Sequence, residues 1–103
     1  MTKFYIMLVS VTTERQGRMI ARSLIDSNLA KSVDLMSTDS FKPGREFVMG
    51  KGGLMVIKTS ESKLEQVEQK IYEFHSQVPP EITSFPAHRI STDCIDWLNK
   101  SEA

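Results

Sequence analysis

The sequence predicts an α+β fold with the element order β-α-β-β-α-β, followed by a short C-terminal helix. Apolar runs rich in β-branched and aromatic residues, at 3 to 11 and at 54 to 57, are typical of strands. Amphipathic segments with helical spacing occur at about 14 to 27 and at 61 to 75. Two right-handed split β-α-β units in this order form an antiparallel sheet with both helices on one face, which is the ferredoxin-like arrangement.

Length and composition limit the class of protein. The 103 residues correspond to one domain, residues 1–103, with 40% hydrophobic and 25% charged residues, as in an ordinary globular protein. Thirteen basic and thirteen acidic residues cancel, and no basic block is present, so we expect no binding to nucleic acid. Cys94 is the only cysteine, which excludes an internal disulfide and favours a reducing, cytoplasmic location. No segment has the ~20 apolar residues of a membrane helix, and the N-terminal run lacks a small-residue cleavage site, so we expect neither a membrane span nor a signal peptide.

The first strand and helix follow from local pattern. "KFYIMLVSV" (3 to 11) is a near-continuous apolar run, as in a strand buried on both faces. Thr13 and Gln16 have the spacing of a capping box at the start of a helix. Asn28 is a plausible end for it. The apolar face of this helix is formed by Met19, Ile20 and Leu24, with Ser23 beside them.

The second and third strands are predicted as a hairpin. Val33 and Leu35 alternate with Asp34, which indicates a strand, and "KPGR" (42 to 45) is a turn. The third strand runs from 46 to 59 and contains "GKGG" (50 to 53), where we expect a bulge or a close approach of two backbones. The same glycines could suggest a phosphate loop, but the full spacing G-x₄-G-K-[ST] is absent, so a bulge is favoured.

The second helix, 61 to 75, has the clearest pattern. Its apolar stripe consists of Leu64, Val67, Ile71 and Phe74. Ser62 with Glu65 could form its capping box, and Pro79 and Pro80 prevent its continuation.

The C-terminal part is predicted to form an edge strand and a short helix. "ITSFPAHRI" (82 to 90) is a strand in which Pro86 indicates an edge or a bulge. "TDCIDWLNKS" (92 to 101) is a helix capped by Thr92 or Asp93, with an apolar side made of Cys94, Ile95, Trp97 and Leu98. This helix is too short to cover the second face of a four-stranded sheet, and we therefore expect self-association.

Four segments together carry a family resemblance. "IARSLIDSNLAKSVDL" (20 to 35), "LMVIKT" (54 to 59), "IYEFHSQVPPEI" (71 to 82) and "TDCIDWLNKS" (92 to 101) resemble the CutA divalent-cation-tolerance family in order and spacing. The resemblance implies a ferredoxin-like homotrimer whose sheets pack around a central axis and whose β2–β3 hairpins reach neighbouring subunits. It also implies a role in tolerance of, and response to, copper and other divalent metal ions.

The sequence departs from this family's pattern at its polar positions. Ser32 replaces the cysteine of the family's "LAACVN" segment, and the hairpin lacks the tryptophan of "YxWxG", with Phe41 near the tyrosine position. Glycine replaces the family's glutamate before the third strand, "HPY" becomes "HSQ", and Cys94 stands where the family has tyrosine. The aromatic polar pocket between subunits is therefore largely absent, whereas the fold is expected to persist.

His75 and Glu81 are the candidate metal ligands. The family resemblance implies that His75 coordinates a metal near the subunit interface, with Glu81 at the family's "PE" position. The alternative role of His75 is that of a helix-terminal residue whose charged form interacts favourably with the helix dipole. The alternative role of Glu81 is to cap backbone donors or to pair with a lysine at the edge of the sheet. A copper or zinc site needs about three or four ligands, so another subunit would have to contribute, with Asp39 of the hairpin as one candidate.

Other candidate residues have simpler explanations. His88 is expected to be an exposed strand residue. Cys94 could bind Cu(I), but a buried helical cysteine more often acts as a small hydrophobe, and its neighbours Asp93 and Asp96 argue against a reactive thiolate. The six methionines do not form a Met-x-x-Met run and are interpreted as core residues.

Two functional classes remain. The first is a non-enzymatic, homotrimeric CutA-like protein involved in tolerance of divalent metal ions, which binds copper or a similar ion weakly or not at all. The alternative is a PII-like signalling protein that binds a nucleotide or other small molecule between subunits, an interpretation based on fold analogy and "GKGG". A small hydrolase such as an acylphosphatase ranks last, because no glycine-rich loop with an arginine follows the first strand.

Overall fold

The computed structural model describes residues 3–43, 48–75 and 80–100. Its elements, in chain order, are β1 (Phe4–Val11), α1 (Glu14–Asp26), β2 (Ser32–Lys42), β3 (Val48–Ser60), α2 (Leu64–Glu73), β4 (Glu81–Pro86) and α3 (Thr92–Asn99). A 3-10 turn, Glu61–Lys63, precedes α2. The predicted "KPGR" turn lies partly, and Pro79 wholly, outside the described residues.

The four strands form one antiparallel sheet in the order β2-β3-β1-β4. This order confirms the α+β, ferredoxin-like prediction. Strand β1 occupies an inner position, where Val9 pairs with Met55 of β3 on one side and Ile82 of β4 on the other. Strand β4 lies at the edge, which explains why it tolerates Pro86.

One face of the sheet packs against the helices and forms the core. Strand residues Met7, Val9, Met55 and Ile57 are fully buried there. The helices contribute Ile20 and Leu24 from α1 and Val67 and Ile71 from α2. The predicted α2 stripe is confirmed, with Leu64 and Phe74 partly buried at its ends.

A hydrogen-bond network at Gln16 ties α1 to α2. Thr13 is the N-cap of α1, and its Oγ1 accepts from the Gln16 backbone N–H at 3.0 Å, as predicted. Gln16 Oε1 accepts from the backbone N–H of Thr12 at 3.2 Å, so the side chain reaches one residue beyond the cap. Gln16 Nε2 donates to the Phe74 carbonyl at 2.9 Å. One side chain therefore closes the start of α1 and holds the end of α2.

Replacing Gln16 with alanine is expected to lower the free energy of unfolding by about 1–2 kcal/mol, because both the cap and the interhelical bond are lost. Guanidinium unfolding of the variant beside Gln69→Ala, an exposed glutamine of α2, checks this value. An equal effect of the two substitutions would contradict the assigned role of Gln16.

Two predicted helix starts are wrong. The Ser62–Glu65 capping box does not form, because residues 61–63 make a 3-10 turn and α2 begins at Leu64 with Lys63 at the N-cap. The Glu61 N–H donates to the Lys3 carbonyl at 2.9 Å, which keeps this turn against the sheet. Helix α3 is capped by Ser91, whose hydroxyl accepts from the Cys94 N–H at 3.3 Å, and not by Thr92 or Asp93.

The end of α1 agrees with the sequence. The helix ends at Asp26, and Asn28 adopts a φ of 58° in the left-handed region, where asparagine is tolerated better than most residues. By contrast, the fourth strand is shorter than predicted. It ends at Pro86, and His88 lies in the exposed segment after it.

The glycines of β3 do not form a bulge. The pairing of β2 with β3 continues without a skipped residue through Thr38–Gly52 and Ser37–Gly53. The alternative expectation, a close backbone approach, is confirmed. A Cβ added to Gly52 would lie 2.6 Å from the Val11 carbonyl oxygen.

The second face of the sheet is largely uncovered and has an apolar centre, with Asp34, Lys58 and Glu81 around it. Strand alternation and register place on it the half-buried Ile6, Leu8, Leu54 and Val56, with Met36 45% and Phe85 41% exposed. We call this set the open face. Helix α3 lies over one end of it, where Phe4 and Leu98 are buried. Lys31 Nζ donates to the Lys100 carbonyl at 2.9 Å and fixes the C-terminal end of α3.

Candidate metal centre

His75 lies directly after the C-terminal end of α2. Its backbone N–H donates to the Tyr72 carbonyl at 3.0 Å, and its side chain is half-buried. Nδ1 lies 2.8 Å from the Ile71 carbonyl oxygen. Because a carbonyl only accepts, this contact requires a proton on Nδ1, and in the neutral ring Nε2 then carries a lone pair. That is the usual state of a histidine that binds a metal through Nε2.

Glu81 begins β4 and belongs to a different layer of the molecule. It pairs with Ser10 of β1, a position that faces the open side of the sheet, and its side chain is exposed. His75, in contrast, follows a helix of the opposite layer. The chain that connects them, residues 76–79, lies outside the described residues.

The other candidates are spread over the molecule. Asp39 is exposed on β2 opposite Lys51, His88 is exposed after β4, and Cys94 is half-buried on α3. Within residues 3–43, 48–75 and 80–100 there is no group of three or more His, Cys, Asp or Glu side chains that could hold a metal ion. One chain therefore offers an oriented histidine but, in its described part, no complete coordination sphere.

Comparison with known proteins identifies the chain. The family model of the CutA1 divalent ion tolerance protein matches residues 5–101. The chain belongs to this family. The divalent-cation tolerance protein CutA of Thermus thermophilus is 24% identical over 98 residues, which cover 93% of this chain and 95% of that protein. The chloroplastic protein CutA of Arabidopsis thaliana is 27% identical over 104 residues, covering 93% of this chain and 54% of that protein.

Solved structures of CutA proteins share the fold. The crystal structure of the divalent ion tolerance protein CutA1 from Ehrlichia chaffeensis superposes with a TM-score of 0.87 at 18% identity, covering 96% of this chain and 94% of that one. Among the helices that the structure describes, none is long and apolar enough to cross a bilayer. The comparisons thus establish a CutA1 family member with the corresponding fold, while the ion and its ligands require separate argument.

Sequence reasoning missed two basic residues that border a cavity beside α3. Lys58 lies on the open face in register with apolar positions of β3, and Arg89 lies in the segment between β4 and α3. The alternation of β3 offered a signal, because Lys58 continues the series Leu54, Val56 on the same face. Arg89 had no comparable signal, since its position depends on how the segment after Pro86 folds back.

Proposed function

We propose that this protein acts as a non-enzymatic, cytoplasmic homotrimer in divalent-cation tolerance, and that it binds copper or a similar ion through His75, with Glu81 contributing. The match of the CutA1 family model to residues 5–101 carries the proposal. We further propose that residues 1–103 form a single domain. The PII-like alternative is less favoured, because the family that matches is the divalent ion tolerance family.

The open face supports assembly into a homotrimer. Leu8 and Val56 lie side by side at its centre, and Met36 and Phe85 extend it towards the two edges of the sheet. An exposed apolar patch with charged residues around it is typical of an interface between subunits. Packing the same face of three copies around an axis would bury it in every subunit.

The geometry of His75 supports metal binding. The Ile71 carbonyl orients the imidazole and leaves Nε2 for coordination. Imidazole nitrogen is a good ligand for copper and zinc, and a carboxylate such as Glu81 could complete the charge balance. Since such sites use about three or four ligands, we propose that the remaining donors come from a neighbouring subunit.

Metal titration of paired histidine variants tests the site. The chain has two histidines, so His88→Ala is a matched control for His75→Ala. In equilibrium dialysis against Cu(II) or Zn(II), the unmodified protein is expected to bind about one ion per subunit, and His75→Ala to bind at least ~10-fold more weakly. Glu81→Gln should weaken binding less. Equal affinity of the His75→Ala and His88→Ala variants would rule out His75 as a ligand.

A further inference from the structure

A cavity of about 230 Å³ lies between the sheet and α3. It is bordered by the start of β1, by Lys58 of β3, by the segment from Ala87 to Ser91, and by the inner side of α3. The segment is held against the sheet because the Ala87 N–H donates to the Phe4 carbonyl at 2.9 Å. The walls are mostly apolar, with Phe4, Ile6, Ile90 and Leu98 as their main contributors.

The charged groups of this cavity are all positive. Lys58 and Arg89 border it, and none of its described lining residues is acidic. Neither cation forms an ion pair within the described part of the chain. Lys58 is also half-buried, so part of its aliphatic stem packs against the protein. The cavity thus combines an apolar interior with two cations that lack a described counter-charge.

A polar group beside Lys58 also lacks a partner. Ser32 stands directly opposite Lys58 on the same sheet face. Its Oγ is buried and has no hydrogen-bond partner among the described residues. Buried hydroxyl groups are normally satisfied, so this one marks an unsatisfied polar group beside Lys58, although Ser32 itself does not line the cavity.

We propose that this cavity is a binding site for a small organic carboxylate with an apolar body. Lys58 and Arg89 would hold the carboxylate, and the apolar walls would enclose the body of the ligand. The volume lies below the ~300–1,000 Å³ of sites for drug-sized molecules, so the ligand must be small. A monoanion with an apolar body suits these walls better than inorganic phosphate, which would lose more hydration without gaining apolar contacts.

This site is separate from the proposed metal centre. The cavity lies at the start of β1, near Phe4. His75 lies towards the other end of β1, since Gln16 joins the end of α2 to the loop that follows Val11. The inference needs no metal ion. Ile6 and Lys58 of the cavity also lie on the open face, so solution mass is measured beside ligand binding, and failure of assembly and failure of the cavity site are thereby distinguished.

Two single-copy residues on α3 report on the cavity. Trp97 is the only tryptophan and Cys94 the only cysteine of the chain. Cys94 lines the cavity, so a bound ligand should slow its alkylation by iodoacetamide. Trp97 lies one helical turn later, and its fluorescence should respond to occupancy.

The test is a titration with phenylacetate, its uncharged amide phenylacetamide, and inorganic phosphate. We expect a saturable fluorescence change and protection of Cys94 with phenylacetate at a Kd on the order of 1 mM, and at least ~5-fold weaker binding of the other two. Arg89→Gln and Lys58→Gln should each weaken phenylacetate binding ~5-fold or more, whereas Arg15→Gln, an exposed arginine of α1, should not.

Several results would overturn the proposal. They are the absence of a saturable response to phenylacetate, equal binding of the amide or of phosphate, and unchanged affinity in both cavity variants. Circular dichroism and solution mass are measured for every variant, because Lys58 also lies on the open face. Arg89 is exposed, so Arg89→Gln keeps the test valid even if the Lys58 variant alters assembly.

Discussion

Leu8→Lys is expected to convert the assembled protein into monomers. Leu8 is half-buried on the open face, flanked across the strands by Val56 and Thr83. In a single chain the new ammonium group would reach solvent above the sheet. In a homotrimer built on this face, three such groups would be brought close together and removed from water. The residues directly opposite Leu8 on both neighbouring strands are uncharged, so the burial would cost several kcal/mol for each group.

The measurement is solution mass by light scattering. The unmodified protein should have three times the 11.7 kDa mass of one chain, and Leu8→Lys the mass of one chain. Ile25→Lys is the matched control, because Ile25 is 47% exposed on α1 in the opposite layer and should leave the assembly intact. Circular dichroism separates loss of assembly from loss of fold. A Leu8→Lys variant that keeps the full assembled mass would show that subunits associate through another surface.

Gly52→Ala is expected to cause a larger loss of stability than the same substitution at Gly17 or Gly53, the other glycines whose surroundings the structure describes. The added Cβ would lie 2.6 Å from the Val11 carbonyl oxygen, closer than real Cβ contacts allow. The obstructing atom belongs to the backbone, so the two strands must separate instead of a side chain moving aside. The next residue, Thr12, would be displaced together with Val11, to which it is bonded. The hydrogen bond from the Thr12 N–H to Gln16 would then be weakened. We expect a loss of about 3 kcal/mol in the free energy of unfolding.

Gly53→Ala provides the control on the neighbouring residue. Its added Cβ would lie 3.0 Å from Leu35 Cδ1 and Val11 Cγ2, which are side-chain atoms and not backbone, and Leu35 can adjust by rotating its side chain. We therefore expect a smaller loss, of about 1 kcal/mol. Guanidinium unfolding at equal protein concentration compares the two variants, since the stability of an oligomer depends on concentration. A smaller loss for Gly52→Ala than for Gly53→Ala would contradict the close approach of the two backbones.

The fold was predictable because each strand and helix has a hydrophobic pattern that repeats within a short stretch of sequence. The stripe from Leu64 to Phe74 and the apolar run of β1 each repeat the period of their element, and element order then limits the topology to few choices. Helix starts were less predictable, because several polar residues in a row could serve as caps. Whether Ser91 or Thr92 caps α3 depends on which hydroxyl reaches the Cys94 N–H, a matter of backbone geometry.

At the glycines of β3, the sequence pattern does not distinguish between two local structures. A bulge and a close backbone approach both require glycine, and only the register of β2 with β3 distinguishes them. The candidate site is harder still. That Nδ1 of His75 bonds the Ile71 carbonyl is a local, helix-terminal contact, but the remaining ligands depend on how subunits meet. The cavity beside α3 depends on the path of residues 87–91, which no periodic pattern encodes.

Native mass spectrometry of the metal-free protein during copper titration tests most directly whether this CutA1 family member is a homotrimer that binds a divalent cation. We expect a species of three chains that takes up about one ion per subunit, with uptake lost in His75→Ala and retained in His88→Ala. A monomer at micromolar concentration, or a trimer that binds no ion, would contradict this proposal.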